Sequence, residues 1–160
     1  MFRFKNIYFM NYFRFILIVT ALFYYSEITA QQLVTPNKGN WSKGAAERFK
    51  GDVWVEFFVN DTSFDFLSSR VLFHPNARSN WHKHTGKQII FAIEGEGYYK
   101  EKGKPINILK KGDVVIIEPG TVHSHGSLGK KFMQAVMMND IKNMFTSTTW
   151  LQPIEDDELK

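Results

Sequence analysis

The chain has 160 residues, one domain's worth, and no cysteine, which excludes a disulfide framework and any thiolate metal site. Its formal charge of +4 comes partly from the N-terminus: residues 1–30 carry Arg3, Lys5 and Arg14 against Glu27, and without them the charge is +2. A nucleic-acid partner is therefore not implied.

Residues 1–30 differ from the rest. A basic start is followed by the apolar run Phe15 to Phe23 and then by Ser26-Glu27-Ile28-Thr29-Ala30. That order predicts a secretory signal cut near Ala30, and so an exported, periplasmic or extracellular protein without stable membrane contact afterwards. The uninterrupted apolar run is short for a membrane span, so a retained anchor is the competing reading. Met10 opens a second sufficient lead-in, Met10-Asn11-Tyr12-Phe13-Arg14.

Residues 31–44 form a polar lead with Pro36 and Gly39, and residues 45–160 the folded domain. A short helical turn is expected between Trp41 and Phe49, then strands at Val53–Phe58 and Asp65–Phe73. Strands follow around Trp81–Ile93, with a turn at Glu94-Gly95-Glu96-Gly97 and another strand from Tyr98. Lys102-Gly103-Lys104-Pro105 and Lys110-Lys111-Gly112-Asp113 read as turns, with Lys100 to Lys111 a solvated hairpin. Val114–Ile117 reads as a short buried strand and Phe132–Met138 as the last long one. Short strands separated by Gly, Pro and Asn turns, with almost no helix signal, predict an all-β jelly roll or small barrel.

The chemistry gathers at Trp81-His82-Lys83-His84-Thr85-Gly86-Lys87-Gln88 and at Val122-His123-Ser124-His125-Gly126. Four of the five histidines form two i, i+2 pairs, and on a strand such positions face one side. Two pairs aimed into one interior make a metal-site pattern, which Gln88 joins by parity if the chain turns at Thr85-Gly86. Parity cannot rank His123 against His125. Val71, Phe73, Ile90, Ala92, Met133, Ala135 and Met137 alternate on the flanking strands as barrel core, those nearest the histidines lining a pocket. His74, before a proline, reads as a surface residue. Ser79 would face inward only if the chain bends at Asn80.

The segment Pro75 to Gly95 resembles the first motif of the cupin superfamily. Asn76 stands at the usual turn glycine, and Gln88 stands where glutamate is more common. Gly112, Gly120 and His123 resemble the second motif, with Pro119 one place late and Ser127 replacing the closing asparagine. Phe49 to Val53, Phe73 to His84, Pro119 to Gly126 and Trp150 to Ile154 narrow the resemblance. They are similar to single-domain cupins labelled as associated with carboxymuconolactone decarboxylase, a group that includes cupin-type hydroxynitrile lyases.

The resemblance implies a double-stranded β-helix, a homo-oligomer, and a divalent transition metal held by His82, His84, Gln88 and His123. It favours Mn or Fe, with Zn, Ni, Co and Cu as alternatives. It leaves His125 in the pocket beside the metal. Ser124 replaces a common tryptophan, which by the same resemblance alters the pocket wall. Three imidazoles and an amide are neutral, so the ion would keep its full charge and act as a strong Lewis acid. His125 is then the candidate general acid or base. The expected activity is lyase, isomerase or decarboxylase chemistry on a small oxygenated molecule. A dioxygenase and a non-catalytic sugar- or small-acid-binding protein are the alternatives.

Overall fold

The computed structural model describes residues 40–61, 65–142 and 146–159. The expected signal segment, residues 1–30, and most of the polar lead lie outside the described residues. What is described is all-β apart from one 3₁₀ turn, Asp157–Leu159. The strands are β1 (Ser42–Lys43), β2 (Phe49–Lys50), β3 (Val53–Asp61), β4 (Phe66–Phe73), β5 (Arg78–Ser79), β6 (His82–His84), β7 (Gln88–Glu101), β8 (Asn107–Lys110), β9 (Val114–Ile117), β10 (His123–Asn139) and β11 (Thr148–Trp150).

Two long strands tie the sheet into two layers. The second half of β10 pairs with β4 on one side and with the first half of β7 on the other. β3 and β1 extend this layer beyond β4, and β9 extends it beyond β7. The first half of β10 pairs with the second half of β7, which carries β8. Its other side takes β5 and β6, and these bring in β2 and β11. Val53, Phe73, Ile90, Ile117 and Phe132, each at most 2% exposed, fill the space between. The predicted jelly roll is what forms.

The predicted turn at Glu94–Gly97 does not form, because β7 runs straight through it. The glycines serve close approach instead. Gly95 has φ +79°, and a Cβ there would overlap the Lys131 carbonyl; one at Gly97 would overlap the Phe132 ring. The β7–β10 register shifts twice here, between Ser127 and Phe132 and between Met133 and Gln134. The first of these reverses the parity of β10 beyond the histidines, because β10 advances five residues there while β7 advances two; the second places its extra residue in β7. Phe132, Gln134, Val136 and Met138 are buried, whereas Met133, Ala135 and Met137, expected inside, are only half-buried on the alternate positions.

Three smaller expectations also change. The expected helical turn before β2 is a single tight turn, in which Arg48 and Phe49 N–H both donate to the Ala45 carbonyl. β9 is buried on one face only, because Val114 and Ile116 are exposed. Lys100 is buried, with its ammonium donating to the Lys104 carbonyl. Asn76 takes the left-handed conformation its place in the motif requires, φ +62°.

The C-terminal stretch wraps β5 and β6. Arg78 donates from Nε and Nη2 to the Ile154 carbonyl, at 3.2 and 3.1 Å, and pairs with Asp156. Trp81 exchanges backbone hydrogen bonds with Gln152 and Leu151. This clamp lays β11 along β6, in register Thr148 to His84 and Trp150 to His82.

Candidate metal centre

β6 and the start of β10 lie in one layer, joined at the pair His82–His123. Gln88, at the start of β7, reaches in from the other. His82, His84, Gln88, His123 and His125 are all buried and all in one cluster. Ring centroids are 4.2 Å apart for His82 and His123, 5.0 Å for His82 and His84, and 5.1 Å for His82 and His125. The ring nitrogens of His82, His123 and His125 fall within 4.8 Å of one another. That triad and the set the resemblance implies share His82 and His123. They differ over His125 against His84 and Gln88.

The hydrogen bonds orient the rings. Nδ1–H of His82 donates to the Asn80 carbonyl and Nδ1–H of His123 to the Thr121 carbonyl, each at 2.9 Å. A carbonyl can only accept, so both rings keep their Nε2 lone pairs free. Nδ1 of His84 lies 2.9 Å from the Thr148 hydroxyl, while its Nε2 is buried without a partner. Nε2 of His123 sits 2.8 Å from Oε1 of Gln88. Two acceptors in contact and an orphaned nitrogen beside them are what a shared cation would satisfy. The residues fit a divalent metal.

Comparison with known proteins agrees with this geometry. A cupin-domain family profile matches residues 69–139. A cupin-like protein from Thermotoga maritima is 38% identical and superposes with a TM-score of 0.69, over 74% of this chain and 90% of its own. The chain belongs to the cupin superfamily. This cupin is also 27% identical over 120 residues to an (R)-mandelonitrile lyase from Granulicella tundricola, covering 74% of this chain and 90% of the lyase. A predicted oxalate decarboxylase from Thermotoga maritima shares the fold at 21% identity, with a TM-score of 0.62 over 68% of this chain and 98% of its own.

A cavity of about 440 Å³ opens on the cupin's histidines, lined by His82, His84, Gln88 and His125. Phe49, Val71, Val136, Met138 and Trp150 give it apolar walls, and the exposed Lys43 and Arg48 add positive charge. Trp150 stacks on His82 at 4.7 Å, held there by β11. Burial pushes the histidine pKa values down, and repulsion from neighbouring rings adds to it at His82, His84 and His125. His84 falls to about 3 and His123 to about 4, while His82 and His125 move in the same direction. The rings are therefore neutral at ordinary pH, as ligation needs.

His125 packs edge-on against Phe73 at 5.8 Å, and its Nε2 is buried without a partner. Its backbone N–H donates to Ser79 Oγ at 3.1 Å. Ser79 is buried but does not line the cavity; its hydroxyl lies 3.4 Å from that of Ser124. Ser124 does not line the cavity. Its hydroxyl donates to the Ser79 carbonyl and meets the Tyr98 hydroxyl at 3.0 Å, so the replaced tryptophan concerns the far face of β10. His74 stays at the surface beside Asp52, at 3.5 Å.

Two side chains escaped the sequence reading. Thr148 is carried to His84 by a tail with no motif of its own, and Gln134 is turned inward by the β10 register shift. Its amide Nε2–H donates to His125 Nδ1 at 3.0 Å.

Proposed function

We propose that this cupin is an exported, metal-dependent enzyme acting on a small, oxygen-bearing organic substrate by lyase, isomerase or decarboxylase chemistry. The observation that carries the reading is the contact of His123 Nε2 with Gln88 Oε1 beside the orphaned His84 Nε2, at the floor of an apolar cavity. His82, His84, Gln88 and His123 would hold the ion, with Mn or Fe favoured. When bound, it would supply Lewis acidity toward a substrate oxygen, undiminished by any ligand charge. The protein's own part is to orient and to move a proton. Phe49, Val71 and Trp150 would grip the substrate's apolar body, and Arg48 and Lys43 would attract an oxygen-rich or anionic end. His125, neutral and aimed into the cavity, would transfer the proton. Similarity to the mandelonitrile lyase supports the lyase form.

The test is elemental analysis of the purified mature protein, followed by activity screens with and without oxygen. About one transition-metal ion per chain is expected, together with oxygen-independent turnover. His82→Ala with His84→Ala should lose the ion; a double variant that retains it would sink the ligand assignment. Substrate-linked oxygen uptake would move the reading to a dioxygenase, and full metal loading without turnover across the screens to a binding protein.

Export and self-association belong to the same proposal. Export predicts a mature mass lower by roughly 3–4 kDa, for about thirty residues removed. A full-length species in the membrane fraction would support the anchor instead.

A further inference from the structure

We propose that Gln134, rather than distance, keeps His125 off the metal: its amide N–H holds His125 as the Nε2–H tautomer, so that His125 presents a hydrogen-bond donor to the cavity instead of a ligand. The inference rests on the metal reading above and concerns how the site divides its histidines between two tasks.

Distance alone does not make that division. His125 offers a ring nitrogen within 4.8 Å of those of His82 and His123, a spacing at which the three could hold one ion. Its ring is buried in the same cluster and lines the same cavity as His82 and His84. What separates it is the chemistry at Nδ1. A neutral imidazole has one N–H and one lone pair, so the partner at one nitrogen dictates the other. His82 and His123 meet backbone carbonyls at Nδ1, which take the proton there and leave Nε2 bare. His84 meets a threonine hydroxyl, which can accept in the same way. His125 alone meets an amide N–H, from Gln134 at 3.0 Å. Its Nδ1 must accept, so its Nε2 bears the hydrogen, and that Nε2 is the atom with no protein partner. A protonated nitrogen cannot ligate. It can donate to a substrate oxygen.

The amide's orientation is set by what it would leave unpaired. Gln134 is wholly buried, and as oriented its Oε1 is the atom without a partner. Reversing the amide would put an NH₂ with two donors in that place, and unpaired buried donors are rarer in folded proteins than under-satisfied carbonyl-type oxygens. The backbone fixes the side chain's address. The register shift between Ser127 and Phe132 is what turns Phe132, and Gln134 with it, to the inner face that His125 also faces.

The experiment is ¹⁵N-imidazole NMR of the full mature chain, metal-free and loaded with zinc, with His125 assigned by the loss of its signals in His125→Asn. In the wild type, His125 is expected protonated at Nε2, while His82, His84 and His123 are protonated at Nδ1. Gln134→Glu supplies only acceptors. It should flip His125 to Nδ1–H and raise the imidazole count around zinc, by X-ray absorption, from three to four. Gln134→Met should leave a mixture of tautomers. Nδ1–H on His125 in the wild type overturns the proposal, and so does a tautomer that neither substitution changes. A flipped His125 with the count still at three would show that distance excludes it after all. If either variant fails to fold, the wild-type spectrum still decides. Failure to take up zinc would count against the metal reading, while the metal-free spectrum goes on testing the tautomer.

Discussion

The proposed ligand histidines owe their orientation to groups outside the proposed ligand set. The carbonyls of Asn80 and Thr121 hold His82 and His123, each from two residues upstream, so the i−2 residue sets the ring wherever the strand begins. Gln88 is where this site departs from the commoner acid. Gln88→Glu should keep the metal but cancel one unit of its charge, and turnover should fall while elemental content stays at one ion per chain. Retained turnover would show that ligand charge does not govern the chemistry. His125→Ala should also keep the metal, and lower kcat by the ~10²–10⁴ that loss of a general acid or base costs. Metal lost from His125→Ala and retained in His123→Ala would exchange their roles.

Among the elements, the tail governs the site without contributing a ligand. β11 is three residues long, yet it delivers Thr148 to His84 and Trp150 to His82, and Arg78 holds the segment after it. Arg78→Met should leave the Ile154 carbonyl without its donors, at about 1–3 kcal/mol of unfolding free energy for such a loss. Denaturant unfolding checks this, and metal affinity should weaken with it; unchanged affinity would show that β11 stays docked without the clamp. These elements also mark what was legible in the sequence. Strands, turns and the histidine cluster followed from period-2 patterning and Gly/Pro punctuation, because those are local. Inward-facing Gln134 and outward-facing Met133 and Met137 did not, because the register shift between Ser127 and Phe132 reverses the parity of β10 where it packs against Gly95 and Gly97. The same glycines read as a turn, since the residue that permits a turn also permits one strand to crowd another. Thr148 was invisible because its partner lies 64 residues away.

At the scale of the whole molecule, the buried histidines link stability to pH. Folding lowers their pKa values from about 6.5, to about 3 for His84 and about 4 for His123. Between those values the unfolded chain binds protons that the native state refuses, so stability is full above about pH 6.5 and declines as pH falls toward 4. Each fully depressed ring contributes up to about 1.4 kcal/mol per pH unit. Thermal unfolding of the metal-free protein should give a level Tm above pH 7 and a steep fall below 6; a level profile down to pH 4.5 would refute the linkage. The last expectation concerns the outer surface. β9 pairs only with β7 among the described residues, so its other edge is open. On its outer face Val114 is 51% and Ile116 65% exposed, and their register partners Phe91 and Ile89 continue the apolar strip onto β7. An open edge flanked by exposed branched side chains is what soluble proteins cover or charge, and here no charge interrupts the face of β9 itself. A second copy of the chain laid against this strip would cover it in both subunits at once. Light scattering of the mature protein should therefore report a dimer or larger assembly. Val114→Lys with Ile116→Glu should dissociate it while leaving one metal ion per chain, because neither residue lines the cavity. A monomeric wild type, or an assembly that survives both charges, would place the contact elsewhere or remove it.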